Sequence, residues 1–310
     1  MTARNIGLIA HGGAGKWRPG SDDDAVNGMR AAVEKGREIL LAGGTAVDAV
    51  CATVVTLEDN PIFNAGTGAV LNIDGFCELD ASVMASEGAR IGAVAALQRV
   101  KNPILVARKV MEETDHVMLA GEGAQRFARV MGFGDHDPVT PARHADWKDK
   151  RGRVDEVLGA SALKMRKFVK DHPEYAGGTV GAAAVDAQGH LAAATSTGGV
   201  TLKLVGRVGD SPLAGAGNYA CERMAASATG TGEFVMRLLA ARAVAEGVEH
   251  GATLEAALEA VLGRLGSQFD ADVGIIAIDR EGRPVARHRT PAMPHAYFSG
   301  NMPVASKMRV

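Results

Sequence analysis

The sequence predicts a layered α/β sandwich, and three observations lead there. The frame Val180-Gly181, then Asp186 five residues on and Gly189 closing, recurs as Val273-Gly274, Asp279 and Gly282. It reads as two β-hairpins of one design, each supplying central antiparallel strands. Amphipathic helical patterns near the start and in the second half provide cover for the outer faces. Strands and helices are mixed along the chain, the order that favours layers of both kinds.

The elements follow in turn. Residues 6–10 (IGLIA) form a short apolar run closed by HGGAG, so they read as a buried strand entering a tight turn. A helix starts at Ser21, with Asp22, Asp23 and Asp24 in its first turn and Val26, Met29, Val33 and Leu40 on one face. Gly43-Gly44 stop it, and Thr45 caps a second helix, with Asp48 three residues on, that runs to Asn60-Pro61. Strand-like pieces follow at 69–73 and 93–96, and Asn102-Pro103 opens another helix with Asn as its cap. Between 134 and 176 the pattern weakens into charge, Pro and His, the composition of an exposed, mobile linker with one short helix near 163–169. Order returns with a strand at 179–185, the turn DAQG, a partner strand at 190–197, and helices at 233–245 and 254–265.

Bulk properties exclude several function classes. The 310 residues are 46% hydrophobic and 23% charged, with 39 glycines and a net charge of −2. That balance gives no electrostatic case for nucleic acid or an anionic membrane. No apolar run approaches the ~18 residues of a membrane span, and the amino terminus lacks a secretory apolar region. Cys51, Cys77 and Cys221 are an odd, scattered set, which suits a reducing cytoplasm. Three motif matches fail. HGGAGK has Ala10 and Trp17 where a phosphate loop needs Gly and Ser or Thr, and GASAL has Leu163 where a nucleophile elbow needs Gly. No histidines take metalloprotease spacing, and Asp135-His136-Asp137, the one metal-like cluster, sits in the linker.

YAGGTVGAAAVDAQGHLAAATSTGG (175–199) carries the chemistry. A threonine hydroxyl needs a neighbouring base, and an amino-terminal threonine has one in its own α-amine, whose reference pKa is about 7.7–8.0. Thr179 is internal, so the chain must first be cut in front of it. Gly178 has no Cβ and can bend its carbonyl toward the Thr179 hydroxyl, while the strand downstream would hold the new terminus. Taken alone, GGTVG is also an ordinary turn before a strand.

With GRVGDSPLAGAGNYA, ATGTGE, HGGAG, NPIFNAGTGAV (60–70) and ELDASVM (78–84) in the same order, the chain resembles the plant-type (bacterial type III) L-asparaginase / isoaspartyl aminopeptidase group of N-terminal-nucleophile hydrolases. The similarity spans nearly the whole chain and is weakest in the linker and the last twenty residues. It implies a single four-layer αββα domain with two central, mainly antiparallel sheets. It implies self-cleavage at Gly178–Thr179 into an α chain (1–178, ending in the linker 134–178) and a β chain (179–310), assembled as (αβ)2. By position, Thr179 is the nucleophile, Thr197 its hydrogen-bonding partner, and Thr229 and Gly230 the oxyanion hole. Arg207 and Asp210 grip the α-carboxylate and α-ammonium of an aspartyl substrate, Gly232 adds a carbonyl for the ammonium, and Asn64 orders the nucleophile's surroundings. The backbone carbonyls of Leu57, Glu58, Asn60, Phe63, Ala65 and Thr67 match a loop that holds structural Na+ (or K+). No organic cofactor or catalytic metal is expected. The implied substrates are β-aspartyl dipeptides and L-asparagine. The alternatives are a glycosylasparaginase and a Gly-rich ligand-binding protein that never cleaves itself.

Overall fold

The two hairpins lie in different sheets. In the computed structural model, which describes residues 5–158 and 178–310, β5 (Val180–Val185) pairs antiparallel with β6 (Leu191–Thr197). Likewise β9 (Val273–Asp279) pairs with β10 (Pro284–His288). Both turns are built alike: Asp186 Oδ1 accepts from the Gln188 and His190 N–H groups, and Asp279 Oδ1 accepts from Arg283 N–H. Gly189 and Gly282 close them at φ of 81° and 78°, where a glycine costs nothing sterically.

Among the described residues the larger sheet runs β12-β11-β1-β5-β6-β2-β3-β4. Its other strands are β1 (Gly7–His11), β2 (Leu79–Ala85), β3 (Ile91–Leu97), β4 (Met118–Ala120), β11 (His295–Ser299) and β12 (Ala305–Lys307). Among the described strands only β3 and β4 pair in parallel. The smaller sheet runs β10-β9-β8-β7, with β7 (Asn218–Ala220) and β8 (Met224–Gly230). Strand periodicity sends alternate side chains into separate cores. Val180, Ala182 and Ala184 face helices α1 (Asp22–Leu41) and α2 (Ala46–Glu58), while Ala183 and Val185 face the other sheet. On β9, Ile276 and Ile278 face β5 and β1, while Val273, Ile275 and Ala277 meet helices α7 (Ala240–Glu249) and α8 (Leu254–Phe269). With α3 (Pro103–Glu113) packed on β3, the result is the expected four layers, αββα.

Helix ends fit the sequence with some corrections. Thr45 and Asp48 form the capping box. Asp186, buried in the β5–β6 turn, also accepts from Ala46 N–H at 3.1 Å, tying that turn to the start of α2. Asn102 does not cap α3: its side chain donates to Asp59, and Glu58 Oε1 takes the free Ile104 N–H instead. The strand expected at 69–73 is absent. Val70 N–H goes to the Asn64 side chain, Leu71 C=O to Leu202, and the Asn72 side chain caps a turn at Asp74 and Phe76, so no ladder can form. The helix expected over 233–245 breaks at Leu239, which is left-handed (φ 49°), leaving α6 (Gly232–Leu238) and α7.

The unpatterned segment from 134 contains α5 (Pro141–Leu158). Trp147 Nε1 donates to Asn72 C=O, and the Arg143 guanidinium donates to Gly68 C=O. Anchorage by two long polar-tipped side chains leaves little apolar period to read. The short helix expected near 163–169 lies outside the described residues. Asp135 and Asp137 pair with Arg99, which accounts for that acidic cluster without a metal. The strand β4 and the helix α4 (Gly121–Val130) carried no signal that set them apart.

Asp186→Ala removes one buried carboxylate that serves a hairpin and a helix start together. It is expected to lower the unfolding free energy by about 2–3 kcal/mol, the scale of bonds to a charged group. Urea unfolding checks this, with a neighbouring surface substitution as reference.

Candidate active site

Antiparallel pairing of Val180 with Ser196 brings the preceding residue, Thr179, opposite Thr197, the last of β6. Both are buried, and their hydroxyl oxygens lie 3.3 Å apart. The carbonyl oxygen of Gly178 accepts from Asn64 Nδ2 at 2.6 Å and from Thr197 Oγ1 at 3.0 Å. Asn64 is fixed in that orientation because its Oδ1 accepts from Val70 N–H, while its Nδ2 also reaches Gly199 C=O. Thr197 Oγ1 accepts from Gly199 N–H as well. A hydroxyl has one proton and two lone pairs, so the pattern closes in one way. Thr179 donates to Thr197, and Thr197 donates to the Gly178 carbonyl.

The HGGAG turn covers this peptide. Gly13 (φ 110°) has no room for a Cβ, which would stand 2.9 Å from Gly178 Cα and 3.1 Å from Thr179 N. Beside it, His11 Nε2 bonds Ser227 Oγ at 2.9 Å, and Ser227 Oγ bonds Thr195 Oγ1 at 2.8 Å, a buried polar chain joining the two sheets. A Cβ at Gly181 would lie 2.0 Å from Ser227 Oγ, so only glycine lets that chain pass. Burial drives the His11 pKa down to about 3, against a smaller opposing contribution from the Thr179 backbone. The ring is therefore neutral at working pH.

A cavity opens in front of Thr179, lined also by Thr197, Gly199, Val200, Arg207, Gly209, Asp210 and Gly230. Asp210 is buried and its Oδ2 has no partner. Burial raises its pKa to about 7 in spite of Arg207 nearby. Arg207 is not paired with Asp210: its Nε and Nη2 both donate to Glu233 Oε1, at 3.0 and 2.9 Å. Glu233 was not singled out in the sequence, although it directly follows the GTG of ATGTGE. Gly232 lets Asp210 approach closely, since a Cβ there would stand 2.7 Å from Asp210 Oδ1.

Gly230 (φ 131°) reaches the cavity wall and must be glycine, because a Cβ would sit 2.1 Å from Asp272 O. Thr229 is fully buried with its Oγ1 accepting from Ala14 N–H, on the same side of β8 as Ser227. The helix behind Gly230 holds only seven residues before its break, so its dipole is weaker than the continuous helix of the sequence reading would supply. The expected ion loop is the one that carries Asn64, and part of it is already engaged. Leu57 C=O accepts from Asn60 N–H, Asn60 C=O from Phe63 N–H, and Ala65 C=O from Gly68 N–H.

The chain is similar to known proteins along most of its length. A family model described as Asparaginase matches residues 4–305. A plant-type L-asparaginase of Pyrococcus abyssi is 44% identical over 299 residues, covering 96% of this chain and 97% of its own. Isoaspartyl peptidase/L-asparaginases of Rattus norvegicus and Homo sapiens are 42% and 40% identical, over 93% and 94% of this chain and 85% and 92% of theirs.

The neutral His11 gives a direct check. Its folded pKa lies below the usual value of about 6.5, so its share of stability is full above that value and drains as pH falls toward 3. NMR shifts of the His11 ring should stay those of the neutral form down to about pH 4. A titration midpoint near 6 would mean that the sheets do not seal it.

Proposed function

The chain belongs to the asparaginase family, and from that premise we propose that it is an autoproteolytically activated amidohydrolase. It cleaves β-aspartyl dipeptides and L-asparagine through an acyl-enzyme on Thr179. The observation that carries this reading is the pair of donors on the Gly178 carbonyl beside the Thr179 hydroxyl.

In processing, Thr179 Oγ attacks the Gly178 carbonyl carbon. The Thr179 proton passes to Thr197, whose own proton moves toward the developing Gly178 oxyanion, and Asn64 Nδ2 donates to the same oxygen. Preorganised donors of this kind are typically worth about 2.7–4 kcal/mol each. The C–N bond then breaks, the nitrogen takes the proton, and water hydrolyses the ester. Gly178 is left as a carboxylate and Thr179 as a free α-amine.

In turnover that amine accepts the hydroxyl proton as Thr179 attacks the substrate's β-carbonyl. Gly230 and Thr229 receive the oxyanion, Asp210 and the Gly232 carbonyl hold the α-ammonium, and Arg207 turns from Glu233 to the α-carboxylate. Ammonia or an amino acid leaves with the proton, and water releases aspartate. Assembly as (αβ)2 and work in a reducing cytoplasm belong to the same reading, and the free thiols of Cys51 and Cys77, both buried, suit the latter.

The ion loop fits an alkali cation, Na+ or K+, by its chemistry. Neutral carbonyls crowd the inside of the turn, where Cβ atoms at Gly66 and Gly68 would meet Glu58 O at 2.6 Å and Phe63 O at 2.0 Å. Such an ion would be held by the carbonyls of Leu57, Glu58, Asn60, Phe63, Ala65 and Thr67 and would stiffen the loop that carries Asn64. No chemical step depends on it.

Two measurements test the reading. On a denaturing gel the processed protein should give bands of about 18 and about 14 kDa, the shares of residues 1–178 and 179–310 in a 32.1 kDa chain. Thr179→Ala should remain one band and turn over neither β-Asp-Leu nor L-Asn, and full processing of that variant would dispose of the nucleophile. The pH profile tests the clamp. Free Asp210 is protonated below about pH 7, whereas an ammonium needs its carboxylate. KM for L-Asn should therefore rise by up to about tenfold per unit below pH 7 and level off above it. Asp210→Asn should bind more weakly with that pH dependence gone.

A further inference from the structure

ELDASVM holds two buried carboxylates that the reaction above does not use, Glu78 and Asp80. We propose that Glu78 is a positioning residue that fixes the reach of Arg207, and so sets affinity for the substrate's α-carboxylate without touching it. The proposal rests on the reading of Arg207 as that carboxylate's partner.

Both Glu78 oxygens accept from the Gly206 N–H, at 3.0 and 3.1 Å. Gly206 is left-handed (φ 79°) and immediately precedes Arg207, whose own N–H closes a turn onto Leu204 C=O. The apolar residues of that turn do not anchor it, since Leu204 and Val205 are 45% and 48% exposed. Hydrogen bonds must therefore hold it. Upstream, Leu202 N–H donates to Leu71 C=O, Ile73 N–H donates to Lys203 C=O, and Lys203 Nζ donates to Glu78 C=O at 2.9 Å. Downstream, Ser82 Oγ donates to Ser211 C=O at 2.5 Å. Between these staples the Glu78 carboxylate is the charged contact nearest to Arg207 along the backbone. At its other end the guanidinium is restrained by Glu233, whose side chain is 49% exposed and thus a softer guide. A bond from a backbone N–H to a buried carboxylate is short, strong and directional, which suits a part that sets position.

Asn72 Nδ2 donates to Glu78 Oε2 at 3.1 Å, and this supplies the test. An amide at position 78 offers one acceptor to two donors, so Glu78→Gln must leave either Gly206 or Asn72 facing an N–H. Exchanging both, as Asn72→Asp with Glu78→Gln, restores the donor-acceptor count and the charge. Binding to processed enzyme is measured by calorimetry for L-aspartate, for succinate (both carboxylates, no ammonium) and for β-alanine (ammonium, no α-carboxylate).

Glu78→Gln should weaken L-aspartate and succinate by about tenfold, the scale of one misplaced bond to a charge, and leave β-alanine within about twofold. KM for L-Asn should rise in step while kcat and the extent of self-cleavage hold, and the double exchange should recover most of the loss. If Glu78→Gln does not fold, Glu78→Asp, which keeps the charge but shortens the reach, must give the same ordering of ligands. Equal losses for all three ligands, a fall in kcat at unchanged KM, or no change at all would overturn the proposal. Wild-type protein that binds none of the three overturns the underlying functional reading first, and this proposal with it.

Discussion

The site depends on one carbonyl oxygen. Gly178 O receives Asn64 Nδ2 and Thr197 Oγ1 together, and each donor is locked by a further bond of its own. A carbonyl with two fixed donors is polarised before any bond changes, and the donors already point where negative charge would grow. The rest of the architecture serves that arrangement. β5 and β6 bring Thr179 opposite Thr197, α2 ends in the loop that presents Asn64, and Asp186 ties the far end of the hairpin to the start of the same helix. The two ends of one helix thus hold the two ends of one hairpin.

Such closeness requires that side chains be missing. At Gly13, Gly181, Gly230 and Gly232 a Cβ would collide with Gly178, with Ser227, with Asp272 and with Asp210 respectively. Each collision falls on a different wall of the site. Alanine, the smallest alternative, would push the walls apart by tenths of an ångström or more, and hydrogen bonds do not tolerate such shifts. The many glycines of this chain thus include a small set that works as spacers around the site, and not only as turn formers.

Much of this was legible in the sequence, for reasons that differ by residue. The hairpins could be read because Asp186 and Asp279 each cap their own turn locally, with a glycine closing. α2 could be read from Thr45 and Asp48 for the same reason. Thr179, Thr197, Asn64, Arg207 and Asp210 were pointed out by motif order, and the fold brings Thr179, Thr197, Arg207 and Asp210 around one cavity with Asn64 behind them. Where the determinant is distant in sequence, the reading failed. Residues 69–73 look like a strand, yet their backbone groups are taken by Asn64, Phe76, Leu202 and Lys203. α5 looks unpatterned because Trp147 and Arg143 anchor it by polar tips. Glu233 and Glu78 act on Arg207 from opposite sides, one through the guanidinium and one through the backbone. Nothing local marks either as its partner.

The two halves of the site treat charge differently. The groups bonded to the Gly178 carbonyl and the Thr179 hydroxyl are neutral, Asn64 and Thr197, and nearby His11 is held uncharged by burial. The clamp is different. Asp210 has an unpartnered oxygen in a buried place, and burial, the largest cause, pushes its pKa up to about 7. A buried carboxylate without a partner is costly, and the cation that would relieve it is not part of the chain. An ammonium arriving beside Asp210 would draw its pKa back down and recover what burial took away. The fold therefore carries a modest electrostatic penalty at Asp210, which an ammonium held there, as in the proposed function, would remove. On the proposed reading, that asymmetry would favour ligands with an α-ammonium over simple amides without any contact to the bond that breaks.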